Sequence, residues 1–412
     1  MIAIRLLSVL VGLFLTLGTL GSVIRTVMVP RAVSSRLSAV IAATVQGATS
    51  FAARTRADYM ARDGILAQGA PLFLVLRLVV WIGLLVAGFT LLFWGSSTGN
   101  WAEAVRLSAS SILPLGLARA ESGLQTAIAF VESASGVIVV ALQIAYLPTL
   151  YSSFNKRETL VTMLDSSSGS PPWGPEILAR HALIDNLDHL AELYHSWEEW
   201  AADIAESHTS YTTLLYFRSP EPRTSWTLAL LACLDAAAIQ LALNPLTAPA
   251  SARPFLRMGI VCLRSLSRVT GFAVTADPDP YDPIDLTFEE FQFGVSRVLK
   301  VGWEAERSAE EAWPHFRGWR VNYESSAYHL AALVDAPPGP WSGARRGRLE
   351  SSLVPVRPPH RAPSPETKNL LEVTQRRRAH RARRRTMGAG AEVAPGKSPT
   401  NTARADDKGR SS

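Results

Sequence analysis

The sequence predicts an all-α membrane protein with three transmembrane helices, a re-entrant helix between the second and third, a helical cytoplasmic domain and a disordered basic tail. Three observations carry that expectation. Charged residues make up 18% of the 412 and mean hydropathy is +0.12, whereas soluble domains carry roughly 25% charge. Long apolar runs recur within the first 151 residues. The charge is also segregated: residues 341–412 hold 17 Lys+Arg and 6 Asp+Glu, a net of +11, which leaves the first 340 residues at −5 of the chain's total of +6. The basic pI therefore belongs to the tail and is no argument that the folded part binds nucleic acid. With only Cys233 and Cys262 present, a disulfide framework and a Cys-based zinc site are both excluded, and a reducing compartment fits.

Residues 6–24 are apolar apart from Ser, Thr and Gly, long enough at about 1.5 Å per residue to cross a hydrocarbon core of about 30 Å. A cleaved signal would have a shorter apolar centre and a small-residue cleavage site; here Val27, Met28 and Val29 resume the apolar character after Arg25, which reads as an uncleaved anchor. The second span is residues 78–94, lengthened by 71–76, with Trp81 and Trp94 suited to the interfaces and Arg77 able to snorkel. The third runs from 124 to about 151, interrupted by Glu132 and Gly136 and closed by Asn155, Lys156 and Arg157. Arg31, Arg36, Arg54, Arg56 and Arg62 lie between the first two spans, against Arg106 and Arg119 between the next two. That asymmetry places the first loop, and everything after Tyr151, in the cytoplasm. Within the first loop, residues 39–51 carry a weak amphipathic pattern that suits either an interfacial helix or one packed on its own chain.

Residues 95–121 then face outward, yet Trp101, Val105, Leu107, Ile112, Leu113 and Leu115 are too apolar for a free aqueous loop. Trp101, Val105, Ser108 and Ile112 fall at helical spacing, so a half-span helix over about 101–111 can enter the membrane and turn back through 114–118. Irregular backbone at that depth is tolerated only where protein or a wet cavity accepts its polar groups, which implies several chains around an axis.

The order of span, Trp-led short helix, Ser-rich turn, Gly, Glu and a Gly-containing span ending in YLPTLYSSFNKRE resembles bacterial two-transmembrane potassium-channel pores with an added N-terminal span. The resemblance covers residues 73–158, and GSPP, ESH, YFRS and SW followed by LD (169–172, 206–208, 216–219, 225–226 and 234–235) are similar to the helical cytoplasmic part of such proteins. It implies a homotetramer in the bacterial cytoplasmic membrane with monovalent ions as permeant species. It also places Pro114, Leu115, Gly116, Leu117, Ala118 and Arg119 on the family's Thr-Val-Gly-Tyr-Gly-Asp filter. Only Gly116 matches. An Ala118 forced into a left-handed state would cost about 1 kcal/mol. Arg119 would form a cationic ring at the outer mouth, so strict potassium selectivity is not expected. Glu132 reads either as a packing or snorkelling residue or as a functional group, facing ions or anchoring the pore helix by a hydrogen bond from behind. Gly136 sits at the family's gating hinge, although a close helix contact explains it equally well.

Residues 175–333 read as helices. One helix over 177–205 is expected to bury Ile184, Leu187, Tyr194 and Trp197 and to turn His181, Asp185, Asp188 and His195 to water. Residues 227–243 are apolar but carry Asp235 at their middle, which reads as a buried bundle helix rather than a fourth span; residues 255–274 read the same way. The Asp and Pro residues of 277–285 read as a Pro-set turn, and Thr287 with Glu290 as a capping box opening the next helix. No Gly-x-Ser-x-Gly, phosphate-cradling loop or His-Glu-x-x-His occurs, so no enzyme activity and no cofactor are expected, and His208 reads as structural.

From Pro337 on, Pro, Arg, Ser and Gly dominate and the tail reads as disordered. Its cluster of Arg376, Arg377, Arg378, Arg381, Arg383, Arg384 and Arg385 suits anionic membrane lipid at about 1 kcal/mol per charge. Nucleic acid fits less well because no aromatic residues interleave for stacking. The expected organisation is thus an N-terminal transmembrane helix (1–30), a cytoplasmic or interfacial linker (31–70), a pore module (71–158), a helical cytoplasmic domain (159–336) and the tail (337–412).

Overall fold

The computed structural model describes residues 2–28, 35–97, 100–112, 118–345 and 379. They are helical, with no strand among the described residues. The described residues other than 183–185 and 379 form one unit.

Four helical stretches are long and apolar enough to cross a membrane: Ile2–Val27, Tyr59–Ser96, Gly123–Ser168 and Trp226–Leu243. This is the composition of a multi-pass membrane protein. The first three bury only 33%, 39% and 28% of their most apolar window, whereas the fourth buries 100%, so the first three keep apolar flanks free for lipid or other chains and the fourth is enclosed by protein.

Helix α1 (Ile2–Val27) lies antiparallel along α4 (Gly69–Ser96). Their backbones approach through small residues: a Cβ on Gly12 would sit 2.7 Å from the Gly88 carbonyl oxygen, and one on Gly88 would sit 2.5 Å from Thr16 Oγ1. Such small-residue contacts drive helix association where lipid removes the hydrophobic force. Trp81 Nε1 adds a hydrogen bond to Ser22 Oγ at 3.2 Å. Helix α2 (Arg36–Arg54) starts on an N-cap, Ser35, whose Oγ accepts from Ser38 N. It packs Ile41 and Val45 against Phe73, Leu74 and Tyr146, while Val40 and Phe51 stay exposed. The apolar residues of 39–51 are therefore divided between two faces. Helix α3 (Tyr59–Leu66) leads into α4.

Two expectations about charged residues fail here. Arg77 does not snorkel: it is 1% exposed, its guanidinium lies 4.9–5.2 Å from the ring centroids of Phe73, Trp81 and Tyr146, and Nη2 donates to Gln143 Oε1 at 3.0 Å. Nor does Arg157 face water, and the third long helix continues past Tyr151. Helix α5 (Trp101–Ile112) is followed by α6, which runs unbroken from Gly123 through Glu132, Gly136 and Pro148 to Ser168. Arg157, expected to mark the water boundary, is fully buried. It donates to Glu158 Oε1 at 2.7 Å, Leu214 O at 2.8 Å and Phe217 O at 2.6 Å. Those partners offset part of its desolvation, and the helix continues through it. At about 1.5 Å per residue its 46 residues far exceed one bilayer.

The helix expected over 177–205 is broken. Helix α7 (Gly174–Leu183) ends before Asp185, whose φ is +56°, and a short 3₁₀ turn at Leu187–His189 precedes α8 (Leu190–Ser210). Asp tolerates the left-handed region better than most residues, so it can end a helix that periodicity alone would continue. Ile184, expected in the core, is 53% exposed. Helix α9 (Trp226–Leu243) is buried on every residue and surrounded by the bundle, as the mid-helix Asp235 indicated. Helix α10 (Ala252–Val269) packs on α8 and α9, with Gly259 seated against Leu234. Helices α11 (Phe288–Leu299) and α12 (Ala309–Arg320) both open on complete capping boxes, Thr287 with Glu290 and Ser308 with Glu311. Helix α13 (Glu324–Leu333) closes the bundle.

The packed chain also runs past Ala336. Trp341 is 4% exposed, meets Trp173 and Phe316 edge-on or tilted, and accepts from Arg320 Nη2 at 2.9 Å through its carbonyl oxygen. One large aromatic gives residues 337–342 the burial that their Pro and Gly content conceals.

Candidate functional site

The predicted pore helix is present as α5, held at its start by reciprocal bonds between Asn100 and Glu103: Glu103 N donates to Asn100 Oδ1 at 2.9 Å, and Asn100 Nδ2 donates to Glu103 Oε1 at 3.2 Å. Trp101 packs edge-on against Trp94 at 5.8 Å. The buried face is Ala104, Leu107, Ser108, Ser110 and Ile112, packed on α4 and α6. Of the four residues expected to share that face, only Ser108 and Ile112 do; Trp101 is 51% and Val105 37% exposed.

Glu132 of α6 is fully buried and faces this helix, its Oε1 2.5 Å from Ser108 Oγ. Ser108 Oγ also lies 3.0 Å from the Val86 carbonyl oxygen of α4. A hydroxyl has one proton to give. Ser108 Oγ directs it at two acceptors, Glu132 Oε1 and the Val86 carbonyl oxygen, in a shared bond. One three-residue neighbourhood therefore ties α4, α5 and α6. A turn further along α6, Gly136 admits the end of α5: a Cβ there would stand 2.7 Å from the Ile112 carbonyl oxygen and 2.8 Å from its Cγ1. The close-contact explanation of Gly136 thus has a definite partner.

Of the filter positions, Pro114, Leu115, Gly116 and Leu117 lie outside the described residues. Ala118 is half-buried and its N–H donates to Ser110 Oγ of α5 at 3.1 Å. Arg119 is exposed. The basic cluster of Arg376, Arg377, Arg378, Arg381, Arg383, Arg384 and Arg385 also lies outside the described residues. The helix break separates His181 from His195, and no group of three or more His, Cys, Asp or Glu able to hold a metal occurs among the described residues.

Several buried polar clusters escaped the sequence reading. In the bundle Arg320 donates to Asp235 Oδ1 at 2.5 Å and Glu324 Oε1 at 2.8 Å, and Tyr323 donates its hydroxyl to the same Asp235 oxygen at 2.8 Å. Glu176, fully buried, receives Arg180 at 2.8 Å and Arg297 at 2.5 Å. Arg218 donates to Asp63 Oδ1 at 2.5 Å and to Tyr59 Oη at 2.8 Å, linking α3 to the segment that precedes α9. His208 is fully buried, with Nε2 3.3 Å from Arg157 Nη1 and Nδ1 2.9 Å from Ser207 Oγ. Burial, with Arg157 beside it, pushes its pKa well below the usual value. The neutral ring then accepts from Arg157 and donates to Ser207, a structural role. The one sequence signal for these clusters was an ionisable residue inside an apolar run, as at Arg77 and Asp235.

No known protein family, curated protein or solved structure matches this chain.

Proposed function

We propose that the chain is an ion-channel-like pore-loop membrane protein of potassium-channel-like scaffold, with an altered filter. In this reading α1, α4 and the first part of α6 cross a bacterial cytoplasmic membrane, α5 re-enters it from outside, and the bundle and C-terminus are cytoplasmic. Four copies would surround the axis, with Pro114, Leu115, Gly116, Leu117 and Ala118 lining it and Arg119 at the mouth. Monovalent ions would pass by exchanging part of their hydration for backbone carbonyls, without strict potassium selectivity. The basic tail would hold to anionic lipid.

The observation that supports this reading is the seating of α5. A 12-residue helix, too short to span, is wedged between two spanning-length helices, and its last turn is anchored by Glu132 and admitted by Gly136. The test is purified protein in planar bilayers beside a Gly116→Pro variant. The expected result is current in the parent that the variant loses; absence of current in both removes conduction. Native mass measurement in detergent checks for four copies.

A second reading, a nonconducting scaffold that recruits proteins through its helical bundle, is favoured by one fact: the buried face of α5 is covered by α4 and α6 of the same chain, so its apolar residues do not by themselves demand symmetry mates. Silent bilayers together with a stable complex formed by the full-length chain would decide for it.

A further inference from the structure

A cavity of about 340 Å³ lies where α1, α2, α4 and α6 meet the segment that links α8 to α9. It falls within the range of ligand sites, roughly 300–1,000 Å³. Phe73 and Tyr146 supply apolar wall, and the cations Arg25, Arg77 and Arg218 line it beside one carboxylate, Asp335. The acids present are already engaged: Asp335 pairs with Arg62 at 3.1 Å and Asp63 with Arg218 at 2.5 Å. Arg77 has no ion pair among the described residues. Its Nη2 meets the neutral Gln143 and its Nε has no hydrogen-bond partner among the described residues, although the residue is 1% exposed.

Three aromatic rings around a guanidinium attract it but bring no countercharge. Removing an ion from water without a paired anion is costly, and an unmet N–H adds to that. An anion in the cavity meets both needs at once, and a tetrahedral oxyanion suits a guanidinium fork better than a spherical ion does. We propose that this cavity binds a phosphate group, carried either by a phospholipid headgroup or by a soluble phosphate ester, with Arg77 as its buried countercharge and Arg25 at its side. The hydroxyls of Thr26 and Thr49 also line the cavity, each donating to a backbone carbonyl of its own helix. The inference is independent of conduction and of the filter, and stands or falls apart from them.

The test uses the full-length chain in detergent micelles, with dioleoylphosphatidylglycerol, dioleoylphosphatidylcholine and glycerol 3-phosphate as probes, read by native mass spectrometry and calorimetry. Three variants are compared: Arg77→Gln; Ala42→Trp, which fills the cavity and leaves Arg77 in place; and a tail variant with Arg376, Arg377 and Arg378 all replaced by Gln. At least one probe should bind the parent with unit stoichiometry and lose tenfold or more in affinity in each cavity variant, while the tail variant keeps it. Phospholipid bound without glycerol 3-phosphate identifies a headgroup; binding of glycerol 3-phosphate identifies a soluble ester. No bound probe in the parent, parent-like binding in Ala42→Trp or in a folded Arg77→Gln, or loss confined to the tail variant overturns the proposal. Should Arg77→Gln fail to fold, Ala42→Trp alone decides.

Discussion

Arg320 and Asp235, 85 residues apart in the chain, form a 2.5 Å ion pair in which both side chains are at most 1% exposed. Asp235 Oδ1 also accepts from Tyr323, and Arg320 reaches Glu324, Tyr328 and the Trp341 carbonyl oxygen. This cluster fastens α12, α13 and the 337–342 segment to the enclosed helix α9.

Asp235→Ala should therefore lower stability by about 3–5 kcal/mol, the cost typical of stranding one member of a buried pair. Replacing Arg320 with Met in the same chain should restore much of the loss, because the stranded charge is gone. Denaturation of the detergent-solubilised protein, followed by circular dichroism, measures both; a loss below about 1 kcal/mol for the single variant would mean the pair contributes little.

At the α5–α6 contact, Glu132→Gln should be close to neutral, since an amide oxygen can still accept from Ser108 Oγ. Glu132→Ala should destabilise. A double-mutant cycle with Ser108→Ala should return a coupling of about 0.6 kcal/mol, the average for hydrogen bonds between membrane helices, and at most about 1.7 kcal/mol. Zero coupling would contradict the contact.

Gly136→Val should be more damaging than Gly83→Val on a neighbouring long helix. A Cβ at 136 meets the backbone of Ile112 at 2.7 Å, whereas a Cβ at 83 meets nothing within 4 Å. Overpacking of this kind costs about 1–3 kcal/mol. Equal melting temperatures for the two variants would show that α5 does not approach α6 so closely.

Acid should weaken the Arg157 cluster through His208. Its pKa is depressed in the folded chain, so the unfolded chain binds a proton that the folded chain refuses. The sign follows: the contribution is complete above the unfolded value of about 6.5 and is lost as pH falls below it, at up to about 1.4 kcal/mol per pH unit. Stability measured between pH 7.5 and 5.5 should fall in the parent and flatten in His208→Gln; parallel slopes would assign the acid sensitivity elsewhere.

Local patterns in the sequence located much of the architecture. A 12-residue helix occurs where Trp101, Ser108 and Ile112 fall at helical spacing, and the Thr287–Glu290 pair caps a helix as its residue types require. Other signals misled because they were composition without context. The Pro and Gly of 337–342 read as a tail although Trp341 buries the segment, and the apolar periodicity of 177–205 ran across a left-handed Asp185 that ends a helix. Part of the candidate site was legible in the same way: Glu132 and Gly136 stand out in an apolar run, but not their partners Ser108 and Ile112.

By itself, the order of amino acids determined that this protein is helical, that three long apolar stretches lead and that a charged helix core at Asp235 needs enclosure; these follow from spacing and hydropathy within a few turns of chain. The tertiary structure alone decided the fate of the arginines. Arg77, Arg157 and Arg320 look like interfacial or solvated charges, yet each is buried against groups 66, 51 and 85 residues away. The reason is physical: a buried charge is tolerated only where folding assembles rings, carbonyls or carboxylates around it, and those groups come from distant segments that no local pattern brings together.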